Sequence, residues 1–309
     1  MAAGVASAVA APAGVRAQAA LEKIRMVAPP AEDLTNLYYG IKAGMFARAG
    51  LEVEMVPAGS GAAATTAVIT GTYEVARTSM LVVFAAHLRN IPIAIVAPSI
   101  VNTARTPFAE LQIAVDSPYK TGADFNGKTM AVPTLGDINS LATKAWVDKN
   151  GGDWRSLKFV EIPNVAMEAA IADHRVAGAV LQSPQLDASV AAGTSKTLAD
   201  AYAAIAPAFM GAAYVARTDW AAQHADALRR FVRVLAEAAG YVNTHPVETA
   251  PLVAELTKIE IANTAKIHRT LNATTLDPAL VQPVIDAAAK YELIARSFPA
   301  RELFWNDGK

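Results

Sequence analysis

Apolar and polar positions in the first hundred residues switch between a period of two and a helical period. The stretch LEVEMV at 51–56 alternates apolar and acidic side chains, which is typical of a half-buried strand. Before it, apolar residues recur at helical spacing from Leu34 to Met45, and Gly50 follows as a C-terminal cap. Further strands are predicted at 24–28, 73–78 and 91–100, with helices at 62–71 and 79–88. This alternation predicts a parallel sheet with right-handed crossovers.

The same pattern restarts after a strand that begins near residue 111. Strands are predicted at 129–133, 157–163 and 177–181, and helices from about 138, at 166–173 and at 186–193. One more strand follows at 211–218. The sequence therefore predicts two α/β units, at 24–115 and 117–210.

The remainder of the chain is predicted to be helical. A long helix covers 220–245 and stops at Pro246, and further helices are expected at 247–256, 259–271 and 277–292. No Gly/Ser-rich linker separates this tail from the second unit. We therefore expect it to return and cover the first unit, which makes that unit discontinuous.

Composition indicates a large folded core and excludes several kinds of site. Apolar residues make up 53% of the 309 residues, charged residues make up 18%, and the net charge is −1. This balance offers no basic surface for nucleic acid. The absence of cysteine excludes disulfides, thiolate nucleophiles, iron–sulfur clusters and cysteine-based zinc sites. The five histidines have no metal-ligand spacing, so neither a metal nor a cofactor is expected.

The first residues resemble an export signal. Residues 2–15 are small and apolar, and Ala17-Gln18-Ala19 forms an A-x-A cleavage pattern. No basic residue precedes the apolar stretch, so residues 1–20 are interpreted as a signal peptide remnant, with a disordered Ala-rich tail as the alternative. No later run is apolar enough to span a membrane. We expect an exported, periplasmic protein.

Three stretches resemble one family. They are residues 38–76 (YYGIKAGMF through GTYEVA), 116–140 (DSPYKTGADFNGKTMAVPTLGDINS) and 174–193 (HRVAGAVLQSPQLDASVAAG). Their order and spacing resemble the solute-binding proteins of ABC importers, in the nitrate/sulfonate/taurine branch that also includes binders of a thiamine-precursor pyrimidine.

The resemblance implies a type II periplasmic-binding-protein fold, with two α/β lobes and a ligand cleft between them. Lobe 1 would comprise residues 21–115 plus 212–309, and lobe 2 residues 116–211. The crossing strands would lie near 110–117 and 208–216. The implied partners are a small solute and the membrane permease of an ABC importer, and the protein is expected to be a monomer.

Three junctions in lobe 1 supply candidate ligand residues, because ligands bind at the carboxyl ends of strands in open parallel sheets. Arg77 suits a bidentate clamp on a carboxylate or sulfonate, with a surface position or a salt bridge to Glu74 or Glu110 as the alternatives. Arg105 is a second candidate. Asp33 is interpreted as a helix N-cap. The lobe 1 candidates are Thr35, Asn36, Ser60, Gly61, Arg77, Thr78 and Ser79.

Two junctions in lobe 2 supply the rest. The family presents backbone N–H groups and small hydroxyls where this chain has Gly136, Asp137, Ile138, Asn139 and Ser140. A carboxylate at 137 would repel an anion unless it caps the helix or contacts a ligand amine, which disfavours a simple nitrate or sulfonate ligand. Gln182 offers both a donor and an acceptor, with an ordinary turn residue as the alternative.

Aromatic residues near these junctions are weaker candidates, since packing is the commoner fate of an aromatic side chain. Tyr38 and Tyr39 are adjacent on a helix, so at most one of them faces the cleft. The aromatic candidates are Tyr38, Tyr39, Phe84, Phe108 and Tyr214.

The leading hypothesis is a binding protein that captures a small polar or anionic organic solute by lobe closure and carries out no chemistry. An enzyme on the same fold, similar to the fungal synthases of the thiamine pyrimidine, is the first alternative. Those enzymes use an active-site histidine, and none of the five histidines lies at a junction. A solute sensor for a membrane receptor is the second alternative.

Overall fold

The computed structural model describes residues 20–103, 109–183, 185–258, 260–264 and 269–306. Its strands are β1 Glu22–Ala28, β2 Leu51–Pro57, β3 Val75–Ser79, β4 Ile93–Thr103, β5 Ala109–Ala114, β6 Thr129–Val132, β7 Lys158–Glu161, β8 Gly178–Gln182, β9 Ser195–Ala199, β10 Ala208–Arg217 and β11 Leu271–Asn272. Its α-helices are α1 Thr35–Lys42, α2 Met45–Arg48, α3 Gly61–Ile69, α4 Met80–Leu88, α5 Ile138–Lys149, α6 Asn164–Ala172, α7 Gln185–Ala192, α8 Thr218–Gln223, α9 Ala225–Thr244, α10 Pro246–Thr257 and α11 Gln282–Lys290.

The strands form two separate sheets. The first has the order β11-β4-β10-β3-β1-β2, and the second has the order β7-β6-β8-β5-β9. In the first sheet β1 runs parallel to β2 and β3, whereas β10 lies antiparallel between β3 and β4. In the second, β6 runs parallel to β7 and β8, and β5 is antiparallel to β8 and β9. Two mixed sheets flanked by helices confirm the predicted α/β fold class.

The outer strand β2 and the central strand β4 have different sequence patterns, because they are covered on one face and on both faces respectively. In β2, Leu51 and Val53 are buried, while Glu52 and Glu54 are exposed on the other face, where Lys23 lies 2.9 Å from Glu54. In β4, every residue from Ala94 to Asn102 is buried. A strand in the middle of a layered fold is covered on both faces, so its sequence reads as a continuous apolar run.

The chain passes between the sheets twice, from β4 to β5 and from β9 to β10. Strand β5 pairs in the second sheet, and strand β10 pairs in the first. The predicted lobe boundaries at 115 and 211 fall close to these passages and stay a prediction.

The structure corrects the sequence prediction for the C-terminal tail. The long predicted helix divides at His224, which stacks on Trp220 with 4.8 Å between ring centroids and bonds Glu22 at 3.0 Å. The predicted helix at 259–271 is wrong for its described residues, which form a short 3-10 turn at Ile261–Asn263 and strand β11. Pairing of β11 with the edge of β4 supplies backbone partners that a helix would have supplied internally. The sequence analysis also missed β9.

The C-terminal tail contacts a strand of the first sheet and a helix of the second unit. The backbone N–H of Trp305 donates to the carbonyl of Ile95 in β4 at 2.9 Å. Close to the end of α11, Lys290 lies 2.7 Å from the carboxylate of Asp148 in α5, and the Tyr291 hydroxyl donates to the same carboxylate at 2.8 Å. The tail is therefore a third connection between the two parts of the fold.

Across the described ranges, no helix has the length and apolar character needed to cross a membrane. Residues 1–19, which carry the predicted signal peptide pattern, lie outside the described residues.

Candidate functional site

A buried ion pair lies at the carboxyl end of β3. The Arg77 guanidinium contacts the Asp33 carboxylate, and the two side chains are only 12% and 10% exposed. Arg77 Nε also donates to Ser99 Oγ at 3.4 Å. Burial lowers the pKa of Arg77 to about 10, because desolvation disfavours the charged form. The pair places an internal counter-charge beside the arginine.

The alternatives considered for Arg77, a surface position or a salt bridge to Glu74 or Glu110, are not what the structure shows. Glu74 instead bonds Arg25 at 2.5 Å, and Glu110 accepts from the Thr197 hydroxyl at 2.6 Å. Asp33 was interpreted as a helix cap, but it lies within a 3-10 turn, and no side chain caps α1. Its Oδ2 faces Arg77, while its Oδ1 is buried without a hydrogen-bond partner.

The first turn of α1 carries two fully buried polar candidates. The Thr35 hydroxyl donates to the carbonyl of Glu32 at 2.5 Å, so local structure already satisfies it. Asn36 Oδ1 accepts from the Leu37 backbone at 2.8 Å, but its Nδ2 has no partner. Asn36 therefore has a free donor, and Thr35 serves the turn.

The β2–α3 and β3–α4 junctions lie against each other. Ser60 Oγ accepts from the Ala63 backbone at 3.1 Å and thus caps α3, as predicted. A Cβ on Gly61 would lie 2.9 Å from the Thr78 hydroxyl, so only glycine allows this approach. That hydroxyl is buried and unpaired. Ser79 precedes α4 without a side-chain capping bond.

Asp137 occupies the amino end of α5. Its carboxylate accepts from the Ser140 backbone at 2.9 Å, and the Ser140 hydroxyl donates to the Asp137 carbonyl at 2.6 Å. Gly136 precedes it with a φ of 76°, a left-handed conformation that glycine adopts without strain. Ile138 points into the core. Desolvation raises the pKa of the half-buried Asp137 to about 7, against the lowering effect of its hydrogen bonds.

Tyr202, which the sequence analysis missed, connects two of the lobe 2 candidates. Its hydroxyl donates to Asn139 Oδ1 at 2.6 Å and accepts from Gln182 Nε2 at 2.8 Å. Burial raises the pKa of Tyr202, the charge of Asp137 raises it further, and that of Arg77 lowers it. Arg77 from the first sheet and Asp137 from the second unit therefore act on one hydroxyl. We call the region holding Asp33, Arg77, Asp137 and Tyr202 the candidate cleft.

Several buried polar atoms at the strand ends have no hydrogen-bond partner. Burying a polar group without a partner costs on the order of 1–3 kcal/mol, so such atoms are uncommon outside functional sites. Asn102 was not among the sequence candidates, because it does not lie at a predicted strand-to-helix junction. Ser183 lies at such a junction, but only its neighbour Gln182 was taken as a candidate there. The side-chain atoms concerned include Asp33 Oδ1, Asn36 Nδ2, Thr78 Oγ1, Ser183 Oγ and both polar atoms of Asn102.

Three of the aromatic candidates serve packing. Tyr39 stacks on Tyr241 with centroids 4.4 Å apart, the Tyr38 hydroxyl contacts the Met55 sulfur at 3.7 Å, and Phe84 is fully buried. Tyr214 differs, since it lies directly opposite Arg77 in the β3–β10 register and burial raises the pKa of its hydroxyl. Arg105 and Phe108 lie outside the described residues.

The described histidines are engaged away from the candidate cleft. His87 pairs with Glu302 at 3.1 Å, and His174 lies 3.3 Å from Asp116. His224 bonds Glu22, and His245 stacks on Tyr241. Within the described ranges, no three His, Asp or Glu residues are grouped so as to hold a metal ion.

Solved structures of binding proteins share this fold. The periplasmic aliphatic sulphonate binding protein SsuA of Escherichia coli is similar with a TM-score of 0.75, 16% identity and 92% of each chain covered. The periplasmic nitrate-binding protein NrtA of Synechocystis PCC 6803 gives a TM-score of 0.67 at 14% identity, covering 80% of this chain and 69% of that one. A Candida albicans protein with the generic periplasmic binding protein fold gives 0.70 at 13% identity, covering 91% and 93%.

These similarities confirm the predicted periplasmic-binding-protein fold. No curated protein sequence matches the chain. The profile of the family described as NMT1/THI5 like matches residues 31–249, which include the candidate cleft and most of both sheets. The chain therefore belongs to the NMT1/THI5-like family.

Proposed function

We propose that this protein is an extracytoplasmic solute-binding protein. It captures a small polar or anionic organic solute by lobe closure and delivers it to the permease of an ABC importer, acting as a monomer without a cofactor. The lobes follow the boundaries at 21–115 plus 212–309 and at 116–211.

One observation carries this proposal. In the candidate cleft, the Tyr202 hydroxyl bonds Asn139 and Gln182 of the second unit and is subject to the charge of Arg77 from the first sheet. Buried polar atoms without partners lie at the strand ends around it. A ligand held there would supply the missing hydrogen bonds and would bind both halves of the molecule at once. That is the requirement for a ligand to favour the closed form, because only differential contacts shift a conformational equilibrium.

The comparisons support the remaining parts of the proposal at the level of fold. Two of the similar structures are periplasmic binding proteins, one for aliphatic sulphonate and one for nitrate. By analogy with these proteins, we propose a periplasmic location and an importer partner for this chain.

An enzyme on the same fold, similar to the fungal synthases of the thiamine pyrimidine, is the second candidate, because the chain belongs to the NMT1/THI5-like family. The described histidines weigh against it, because His87, His174, His224 and His245 are paired at other places in the fold. A sensor that docks on a receptor would use the same cleft and differs only in its membrane partner.

Small-angle scattering combined with thermal unfolding tests the proposal. The purified protein lacking residues 1–19 is screened against sulfonates, nitrate, aromatic acids, pyrimidines and amines. A binding protein shows a higher melting temperature and a smaller radius of gyration with one class, and no consumption of the solute. Turnover of the solute supports the enzyme, and failure of every class to compact the protein contradicts lobe closure.

A further inference from the structure

We propose that the candidate cleft selects a basic nitrogen compound, an amine or amidine bound as a cation, rather than an oxyanion. This inference rests on the proposed function and narrows its solute class. Two features ordinarily hold an anion in a protein, an arginine side chain and the amino end of a helix. The inference follows from where the carboxylates of the described residues lie relative to these two features.

The first such feature is Arg77, whose charge is already balanced. The Asp33 carboxylate contacts its guanidinium in a buried setting. A second anion on the same guanidinium would lie beside Asp33 and be repelled by it at short range, where burial reduces screening. Arg77 keeps further N–H groups that can donate to a neutral acceptor, but it offers no uncompensated charge.

The second such feature is the amino end of a helix. Side chains of the protein cap α3 and α5, whereas α1 and α4 start without a side-chain cap. The Asp137 carboxylate accepts from the Ser140 backbone at the start of α5. Ser60 accepts from the Ala63 backbone at the start of α3. A sulfonate or nitrate at α5 would have to displace a carboxylate that the helix dipole already favours.

The carboxylates, in contrast, can still accept hydrogen bonds and pair with a positive charge. Asp33 Oδ1 is buried and unpaired, so it can accept from a ligand N–H group. Asp137 forms no ion pair with any described residue, and burial raises its pKa. Among the described residues, the cleft thus holds one arginine against Asp33 and Asp137, and these three groups carry a net negative charge when both acids are ionised. An ammonium or amidinium group supplies the missing positive charge and the missing donors together.

Three probes of the same ring size and different charge test the inference. Benzamidine is a cation, benzamide is neutral and benzenesulfonate is an anion. At pH 8, titration calorimetry is expected to give the tightest binding for benzamidine, about tenfold tighter than benzamide, because a charge-assisted hydrogen bond replaces a neutral one. Benzenesulfonate is expected to give no measurable binding. Tighter binding of benzenesulfonate, or no binding of any probe, overturns the inference.

A matched pair of variants locates the effect. Asp137→Asn removes the charge but keeps a good helix cap, and it is expected to weaken benzamidine about tenfold while leaving benzamide within about threefold. Asp153→Asn is the control, since Asp153 also caps a turn in the second unit, where it accepts from the Arg155 backbone at 3.0 Å. It should change neither probe. An unchanged benzamidine affinity in Asp137→Asn contradicts the assignment.

The inference and the proposed function fail in different ways. If an anion compacts the protein while benzamidine does not bind, the charge selection is wrong and the binding function stands. If no solute of any charge compacts the protein, the binding function itself is wrong.

Discussion

Each half of the candidate cleft contributes one aspartate, and the two are held differently. In the first half, Asp33 faces the Arg77 guanidinium. In the second, Asp137 faces backbone N–H groups and the neutral Tyr202, and burial raises its pKa to about 7. The comparison teaches that a carboxylate at a strand end does not by itself define a site's charge. The partner that the fold brings to it decides whether it is compensated or is available to a ligand.

The largest expected effect on the contrast between Asp33 and Asp137 comes from removal of Arg77. Arg77→Met leaves Asp33 buried without its counter-charge, and we expect a loss of about 3–5 kcal/mol in the free energy of unfolding. Urea denaturation measures it. The double variant Arg77→Met/Asp33→Asn removes both charges and is expected to recover more than half of that loss. A single variant as stable as the wild type would show that the ion pair is not compensating a buried charge.

The second test concerns the uncompensated aspartate and its pH dependence. The folded-state pKa of Asp137, about 7, exceeds the ordinary 3.8, so the protonated acid stabilises the folded state at low pH. This stability is fully present below about pH 4 and is lost as the pH rises through about 7. The wild type should therefore lose about 3 kcal/mol relative to Asp137→Asn between pH 4 and 8, after allowance for partial exposure.

Several other groups act with Asp137 in this window. Its direct neighbours are the Asn139 and Ser140 backbone N–H groups, which do not titrate, and Tyr202, on which Asp200 and Arg77 also act. Denaturation of both proteins across the pH range separates Asp137 from these groups. Parallel profiles for wild type and variant would show that the pKa of Asp137 is the same in the folded and the unfolded protein.

A smaller effect is expected from loss of the Tyr202 hydrogen bonds. Tyr202→Phe leaves Asn139 Oδ1 without its donor and Gln182 Nε2 without its acceptor, at a cost of about 2 kcal/mol. Tyr241→Phe is the control, because the Tyr241 hydroxyl bonds Glu248 at an exposed position and should cost under about 1 kcal/mol. Equal losses in the two variants would argue against a buried network at Tyr202.

The smallest effect compares two helix starts in the first half. Ser60→Ala removes the oxygen that caps α3, and we expect a loss of about 1 kcal/mol. Ser79→Ala should be nearly neutral, since Ser79 precedes α4 without a side-chain capping bond. Thermal unfolding of the two variants side by side measures the difference, and a reversed order would contradict the capping assignment.

Local patterns were sufficient to predict much of this fold. Strand β2 is covered on one face, and its sequence LEVEMV alternates, whereas β4 is covered on both faces, and its sequence is an apolar run. Consecutive residues of each strand are therefore enough to predict which of its faces are buried. The cap at Ser60 is likewise a matter of residues a few positions apart. Strand β11 could not be predicted in this way, because a two-residue strand exists only where the edge of β4 is available to pair with it.

The candidate site was less accessible from sequence, because its pairings join distant parts of the chain. The sequence placed Arg77 and Asp33 at strand ends but gave no sign that they pair with each other. Tyr202 follows β9, a strand whose short and partly polar sequence, SKTLA, gave no clear pattern. Its two hydrogen bonds therefore had no local signal, although Asn139 and Gln182 themselves were candidates.

The strand order of the first sheet has a consequence for the order of folding events. Strand β10 lies between β3 and β4, so these two cannot join into one sheet until residues 208–217 are available. The second sheet needs no residue beyond Ala199. Sheets assembled from sequence-distant strands form slowly, because chain entropy is lost before the contacts form. During synthesis the second sheet is therefore able to form first, while β4 waits for a partner that is made more than a hundred residues later.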